Sequence, residues 1–290
     1  MANSIEYAKV FNSTLDKLLA QEATTNWMEA NSNRVKYNGG NEFKLAKLTL
    51  DGLSDYDRAT GFADGSATLT WETKAFKYDR GRKFRLDAMD VDESNFVLDA
   101  STIMGEFVRT QVVPEVDMVR IADLAGFGTK LEANAGGALA TLKDAIVAIR
   151  NKGYSGQLVA HVTHDFLRGL EDDMAGKLGT IEVNGITFPA LQGVALVPTV
   201  PERMVSAVEK NNTTKVIAKK SDAKDLDLLI TGVDVPLGIM KHNVSKIITP
   251  EINQGADAYD IHYRAYHTLE AEDNKKPIVF YVETVADEGI

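Results

Sequence analysis

The stretch KAFKYDRGRKFRLDAMDVDES, residues 74–94, separates its charges by sign. The six basic side chains come first and are Lys74, Lys77, Arg80, Arg82, Lys83 and Arg85. Four acidic side chains follow and are Asp87, Asp90, Asp92 and Glu93, while a fifth, Asp79, lies among the basic ones. The basic half is the end of a segment with the pattern of an extended strand. The acidic half has the composition of the first turn of a helix. A strand that leads into a helix is therefore the first prediction.

The whole chain is acidic, so the basic stretch is a local exception. It has 290 residues, 44% of them apolar, which is typical of a soluble protein with a buried core and roughly two domains. Its net charge of -10 argues against a protein that coats nucleic acid by neutralising phosphates. Zero cysteines exclude disulfides, thiolate zinc sites and a cysteine nucleophile. No stretch has the pattern of a signal peptide or a membrane span, and no membrane partner is expected.

Upstream of the basic stretch, the chain changes from a helical to an extended pattern. Ser4 is a natural N-cap, and helical spacing of apolar residues continues to about Ala20. From Phe43 to Arg85 the pattern is extended, with a loop rich in glycine and aspartate in its middle. We interpret this segment as one long hairpin that projects from the body and is not stable by itself.

Downstream, Asp92 with Glu93 behind it is predicted to open the longest helix of the chain. Its apolar face includes Phe96, Ala100, Ile103 and Phe107. Pro114 removes a backbone hydrogen bond and clashes with the preceding turn, so a kink or break is expected at about Val113. The helix resumes through EVDMVRIADLA, and its thirty or so residues correspond to roughly 45 Å at 1.5 Å per residue.

The remainder of the chain has an α/β pattern. Leu139, Leu142, Ile146 and Ile149 mark a helix that stops at Gly153. The strand QLVAHVT, the helix HDFLRGLEDD and a hairpin turn at Asn184-Gly185 follow, and then the strand LDLLIT. The extended pieces KIITP, AYDIHYRAYHTLE and PIVFYVE come last. Since no linker separates these parts, they are expected to interleave in space.

Histidines offer the candidate chemistry of the chain. His161, His164 and Asp165 form the pattern HxxHD, which suggests metal ligands or a general base. On a strand these two histidines fall on opposite faces, so a strand end with an N-cap at Asp165 is favoured over a site. His262 and His267 also fall on opposite faces of a strand. Serine-nucleophile motifs and phosphate-binding loops are absent, and the acidic run lacks the mid-loop glycine of a calcium loop.

Taken together, several stretches resemble the major capsid protein of tailed bacteriophages, whose fold encapsulin nanocompartments share. The resembling stretches are GLSDYDRATGFADGSATLTWETKAFKYDRGRKFRLDAMDVDES, GEFVRTQVVPEVDMVRIADLA, TGVDVPLGIMKHNVSKIITPE and GADAYDIHYRAYHTLEAEDNKKPIVFYVE. The resemblance implies an α+β fold of four parts. These are an N-terminal arm (1–38), an extended β-hairpin loop (39–86), a peripheral domain with a long spine helix (87–137 and 256–290) and an axial domain (138–255).

The resemblance also implies what the basic stretch does. An extended loop lies over the adjacent subunit, so its basic side chains are predicted to contact the carboxylates of a neighbour. These inter-subunit contact residues are Lys74, Lys77, Arg80, Arg82 and Lys83. Asp92 and Glu93 start the spine helix, and Pro114 kinks it. The alternative for the basic stretch is a solvated strand edge, where lysines prevent aggregation.

The implied function is structural, without catalytic residues, cofactor or metal. The chain is expected to form hexamers and pentamers of an icosahedral virion shell that encloses double-stranded DNA by weak non-specific contact and assembles in the bacterial host cytoplasm. About 38 residues precede the loop, so a separate scaffolding protein is expected, with portal and head-completion proteins. Two alternatives stay open, an encapsulin-like nanocompartment shell around a cargo enzyme and a metal-dependent hydrolase centred on His161, His164 and Asp165.

Overall fold

The computed structural model describes residues 21–37, 40–93, 100–174 and 177–284. The strands are β1 Lys36–Tyr37, β2 Glu42–Leu50, β3 Ala67–Ala75, β4 Tyr78–Asp87, β5 Thr129–Leu131, β6 Leu158–Val162, β7 Gly179–Val183, β8 Ile186–Leu191, β9 Val194–Pro198, β10 Val208–Lys210, β11 Ile217–Lys219, β12 Leu226–Gly232, β13 Pro236–Ile248, β14 Ala258–Ala271 and β15 Phe280–Glu283. The helices are α1 Ala88–Glu93, α2 Ala100–Phe107, α3 Val113–Phe127, α4 Ala138–Asn151 and α5 His164–Asp173, with 3-10 helices at Asn26–Arg34, Pro201–Arg203 and Lys276–Ile278. The helix predicted from Ser4 to Ala20 lies outside the described residues.

A seven-stranded sheet forms the larger core, in the order β5-β15-β12-β6-β9-β8-β7. All five residues of β6 are buried, as expected for a central strand. α4 and α5 contribute the fully buried Leu142, Ile149 and Leu170 to the same core. The predicted strand, helix and Asn184-Gly185 hairpin of this region are confirmed. Both turn residues have positive φ, which a two-residue turn of this kind requires.

The second sheet carries the long helix on one face, with strand order β13-β14-β4. Apolar side chains of β4 and β14 pack against α2 and the turn after it, as Phe84 does against Phe107 at 4.9 Å between ring centroids. Helical structure is continuous from residue 100 to residue 127, so the predicted long helix is confirmed over this range. None of the helices in the described ranges is both long and apolar enough to cross a membrane.

The start of the helical region differs from the prediction. Asp92 and Glu93 lie in α1, which already begins at Ala88. The backbone N–H of Met89 donates to the carboxylate of Asp87 at 3.0 Å, so Asp87 caps this helix. Asp92 and Glu93 therefore do not open the helix in which they lie. The prediction was wrong because every acidic residue from Asp87 to Glu93 is suited to a first helical turn. Where the helix begins depends on which of them is the N-cap.

The irregularity predicted near Val113 is present as a π-helical turn. Residues Val108–Val112 have π-helical hydrogen bonding, and α3 begins at Val113 with Pro114 in its first turn. Proline has no N–H to donate to the carbonyl four residues earlier, which favours a local change of helix geometry. The hydroxyl of Thr110 donates to the carbonyl of Glu106 at 2.6 Å within the same stretch. The direction of any bend stays a prediction.

The extended segment from residue 43 to residue 85 belongs to two sheets. β2 and β3 form the predicted hairpin, with Leu48 opposite Leu69, and β1 adds a short third strand. β4 leaves this hairpin and pairs with β14 instead. The expectation of one long hairpin to Arg85 is therefore wrong, because the hairpin ends at Ala75. The partner of β4 is about 180 residues away in sequence, and local patterns do not indicate such pairings.

The sheets also cross the predicted domain boundaries. β15 was assigned to the peripheral domain, but it pairs with β12 in the seven-stranded sheet. β13 was assigned to the axial domain, but it pairs with β14 beneath the long helix. The division into domains at residues 138–255 stays a prediction, and these two strands pair across its boundaries. The expected interleaving of the parts is confirmed, since both sheets combine strands from distant parts of the sequence.

Candidate assembly surfaces

The basic side chains of residues 74–85 bind carboxylates of their own chain. Lys74 lies 3.7 Å from Asp273, and the Arg80 guanidinium donates to both oxygens of Glu115 at 2.6 and 2.9 Å. The remaining ion pairs are Lys77 with Asp123 and Glu270, and Lys83 and Arg85 with Asp260. The two cations lower the pKa of Asp260 strongly, with the hydrogen bond from Arg85 as the largest cause.

Arg82 is the exception among the five predicted contact residues. It is exposed and forms no ion pair or hydrogen bond with the residues that the structure describes. It lines a cleft of about 860 Å³ between β4, the π-helical turn and the β10–β11 ribbon. The contact of the basic stretch with a neighbouring subunit stays a prediction, and within the subunit these charges fix β4 to the helix and to β14.

The base of the hairpin packs on the chain's own body. Phe43 and Leu45 are buried and contact Phe76, Leu237 and Ile239. Lys47 lies on the same side of β2 and forms ion pairs with Glu72 at 3.3 Å and Asp273 at 3.9 Å. Successive side chains of a strand alternate between its two sides. One side of β2, formed by odd-numbered residues, therefore faces the body.

The opposite side of the hairpin is apolar, and no element within the described ranges covers it; we call it the outer face. Register places its members directly across from one another: Ala46 with Trp71, Leu48 with Leu69, and Leu50 with Ala67. Leu48, Leu50 and Leu69 are 54%, 63% and 56% exposed. This face would turn toward the body only if the strand pairing shifted by one residue. In the observed pairing, the hairpin therefore cannot bury this face against its own body. Uncovered apolar patches of this kind mark interaction sites.

The hairpin tip, residues 51–66, extends the exposed apolar surface. Leu53 is fully exposed, and the exposed Tyr56 and Phe62 contact each other edge to face at 4.9 Å between ring centroids. The tip has an internal turn, in which the carboxylate of Asp57 accepts a hydrogen bond from the backbone N–H of Ala59 at 2.6 Å. Both contacts lie within the tip itself.

A partly buried ionic cluster joins the end of the hairpin to α3 and β14. Lys77, which follows the hairpin, lies 3.1 Å from Glu270 and 3.8 Å from Asp123. The hydroxyl of Tyr78 donates to Asp123 at 3.1 Å. Burial raises the pKa of Asp123 to about 6, which outweighs the opposing effects of Lys77 and Tyr78. Two carboxylates therefore share one lysine where the hairpin meets the body.

A second buried cluster ties residues 21–25 to α3. The carboxylate of Asp117 accepts hydrogen bonds from the backbone N–H of Thr24 at 2.8 Å and from the hydroxyl of Thr25 at 2.5 Å. Arg203 completes the cluster with an ion pair to Asp117 at 2.8 Å. The guanidinium of Arg203 also donates to the backbone carbonyl of Gln21 at 2.7 Å. This cluster fixes the point where the N-terminal segment meets the body.

The histidines of the HxxHD pattern, for which a metal site was the less favoured interpretation, are not brought together. His161 is fully buried on β6, where its Nε2 accepts from the indole N–H of Trp27 at 3.3 Å and its Nδ1 lies 3.1 Å from the hydroxyl of Thr199. Burial lowers the pKa of His161 to about 4, so the ring is neutral. His164 and Asp165 are exposed at the start of α5. Among the described residues, no group of three or more side chains is arranged to hold a metal ion.

Two further details concern the same histidine patterns. The cap of α5 is Thr163, whose hydroxyl accepts from the N–H of Phe166 at 3.3 Å, so the N-cap predicted at Asp165 is wrong by two positions. His262 and His267 lie on opposite faces of β14, as predicted. His267 is buried beside Tyr78, and burial lowers its pKa to about 4.

Comparison with known proteins places this arrangement among solved structures. No protein-family model and no curated protein matches the chain. A chain from the asymmetric unit of the bacteriophage PhiM1 mature capsid matches with a TM-score of 0.64 and 11% identity, covering 96% of this chain and 92% of that one. A chain from the capsid of the cyanophage P-SCSP1u matches with a TM-score of 0.61 and 14% identity, covering 96% of this chain and 93% of that one. A chain from Mycobacterium phage Che8 matches with a TM-score of 0.59 and 13% identity, covering 97% of this chain and 98% of that one.

The chain has a bacteriophage capsid fold. The predicted α+β capsid fold is therefore confirmed, and the match covers nearly the whole chain. Within this capsid fold, the outer face of the hairpin is the surface that sequence reasoning missed. Its signal was present in the spacing of Leu48 with Leu50 and of Leu69 with Trp71, but only the register shows that the two pairs share one face.

Proposed function

We propose that the chain is a structural subunit of a bacteriophage capsid. The outer face of the hairpin carries this proposal, because an apolar surface that its own body cannot cover requires another molecule. Full burial of a leucine side chain stabilises by about 1.5–3 kcal/mol, so covering the exposed halves of Leu48, Leu50 and Leu69 contributes roughly 3 kcal/mol per subunit. Such contacts, repeated between identical chains, build closed rings and shells.

The finer features of the proposed shell follow from the resemblance to tailed-phage capsid proteins. Hexamers and pentamers form an icosahedral virion shell that encloses double-stranded DNA, and assembly takes place in the bacterial host cytoplasm. The net charge of -10 supports weak and non-specific contact with the DNA, since strong phosphate binding needs an excess of cations. A scaffolding protein, a portal and head-completion proteins are the proposed partners.

Electron microscopy of negatively stained preparations of the expressed chain tests this function. We expect shells, tubes or rings of uniform width, either from the chain alone or after co-expression with the scaffolding protein of the same phage. A chain that stays monomeric under both conditions contradicts the proposal. Stoichiometric zinc in the purified protein, lost on His161→Ala with His164→Ala, supports the hydrolase alternative instead.

A further inference from the structure

The cleft beside Arg82 is an opening that the described part of the chain leaves unfilled. It has a volume of about 860 Å³ and lies between β4, the π-helical turn and the β10–β11 ribbon. Its helix side includes the half-buried Val112, Val116 and Met118, and the ribbon contributes the exposed Val216. Because these side chains are apolar, the cleft favours an occupant that is apolar on at least one side.

The described chain begins at this cleft. Gln21 is one of the residues that line it. The side-chain amide of Gln21 donates to the carbonyl of Pro198 at 2.7 Å and accepts from the N–H of Val200 at 3.0 Å. The guanidinium of Arg203 donates to the backbone carbonyl of Gln21 at 2.7 Å. These contacts fix the point from which residues 1–20 extend.

The segment that precedes Gln21 carries apolar side chains at suitable positions. The helical spacing predicted from Ser4 to Ala20 places Phe11, Leu15 and Leu18 on one side. Leu18 precedes Gln21 by three residues, so their Cα atoms are at most about 11 Å apart. In a helix, Leu15 is about 9 Å from Gln21 along the axis. The covalent connection therefore holds these side chains near the cleft at a high effective concentration.

We propose that residues 5–19 dock in the cleft of their own chain. The side chains of Phe11, Leu15 and Leu18 cover the apolar helix side of the cleft, and the segment then joins α3 to the β10–β11 ribbon. The contact lies within one unassembled chain, so it goes beyond the proposed function and does not depend on it. It assigns most of the predicted N-terminal arm to the subunit that carries it.

Charged occupants provide the alternatives. Arg82, Lys210 and Lys215 also line the cleft, are exposed, and have no ion pair within the described ranges. They would attract DNA or an acidic partner, whose binding weakens steeply with salt. Residues 5–19 contain two acidic and two basic side chains, so this segment is neutral and its contact should depend little on salt. It is also the occupant that is already attached at Gln21.

Thiol protection in the unassembled full chain tests the contact, because the chain has no cysteine of its own. Met118→Cys places a thiol in the cleft. Its reaction with a maleimide should be at least about tenfold slower than in the same variant with Phe11→Ser, Leu15→Ser and Leu18→Ser. The ratio should be the same at low and high salt. Val147→Cys, exposed on α4 and outside the cleft, is the matched control and should react equally fast in both backgrounds.

Crosslinking identifies which chain supplies the segment. Leu18→Cys with Val216→Cys should be joined within one chain by a short bismaleimide, to an extent that does not change with protein concentration. Leu18→Cys with Val147→Cys is the control and should stay unlinked. This measurement leaves Phe11 and Leu15 in place, so it decides the question even if the serine variant does not fold.

Three results overturn the inference. The first is equal reactivity of Met118→Cys with and without the serine substitutions, and the second is the absence of a crosslink within one chain. The third is a crosslink between two chains that increases with concentration, which assigns the cleft to the segment of a second copy. Protection of Met118→Cys that survives the serine substitutions but is lost at high salt belongs to the first result and assigns the cleft to DNA or an acidic partner.

Discussion

The seven-stranded sheet and the hairpin use the same residue types with opposite results. In the sheet, leucine and valine side chains of β6, β9 and β12 are fully buried and contact α4 and α5. In the hairpin, Leu48, Leu50 and Leu69 share one face and are more than half exposed. The first region is stabilised within one subunit, and we propose that the second is completed by another molecule. Apolar residue type alone therefore does not identify the core. A side chain belongs to the core when neighbouring elements of the subunit cover it.

A single substitution in the seven-stranded sheet is expected to have the largest effect on the stability of the subunit. Leu196→Ala on β9 removes a fully buried side chain and leaves a cavity, so we expect a loss of about 2–5 kcal/mol in the free energy of unfolding of the subunit. Urea denaturation of the unassembled chain measures it. A loss below about 1 kcal/mol would show that the sheet is not the stabilising core described above.

The pH dependence of stability probes the same core through His161. Its pKa is lowered to about 4 by burial, against about 6.5 in an unfolded chain. The unfolded state therefore binds the extra proton between these values, and the stability that neutral His161 contributes is complete above pH 6.5 and lost as the pH falls to 4. The slope is roughly 1 kcal/mol per pH unit. His161→Gln should reduce this slope, as measured by urea denaturation at pH 7 and pH 5.

Asp123 is a control for this measurement, because its pKa shift changes stability with pH in the opposite direction. Its pKa is raised to about 6, so the folded state binds a proton that the unfolded state has released, and stability falls as the pH rises through this range. Asp123→Asn removes that opposing effect and should make stability rise more steeply with pH. If both variants keep the wild-type slope, neither group titrates as its burial implies.

The smallest expected effect on the subunit belongs to the outer face of the hairpin. Leu48→Ala with Leu69→Ala removes a cross-strand pair of side chains that are more than half exposed, so the free energy of unfolding of the unassembled chain should fall by no more than about 1 kcal/mol. Particle yield should nevertheless fall, because the lost burial is between subunits. Thr49→Ala with Thr68→Ala, across from each other on the body-facing side, is the matched control. Loss of subunit stability without loss of particles would contradict the comparison.

The same contrast explains what the sequence could and could not predict. α5 and the Asn184-Gly185 turn were predicted well, because capping, helical period and turn chemistry act within a few residues. The end of the hairpin and the sheet membership of β15 were missed, since β4 and β15 pair with strands far along the chain. The sheet membership of β13 was missed although its partner is the next strand, β14. The contact of the basic stretch with a neighbour came from the resemblance and stays a prediction. Its carboxylate partners within the chain, such as Glu115 and Asp260, were missed because they are distant in sequence.

Hydrogen exchange of the backbone amides, in the unassembled chain and in assembled particles, tests the central claim most directly. β6 and β12 should be protected in both states, because their hydrogen bonds lie within the subunit core. The amides of residues 42–75 should exchange quickly in the unassembled chain and slowly in the particle, since the outer face and the tip are covered only on assembly. Equal protection of the hairpin in both states would contradict the account.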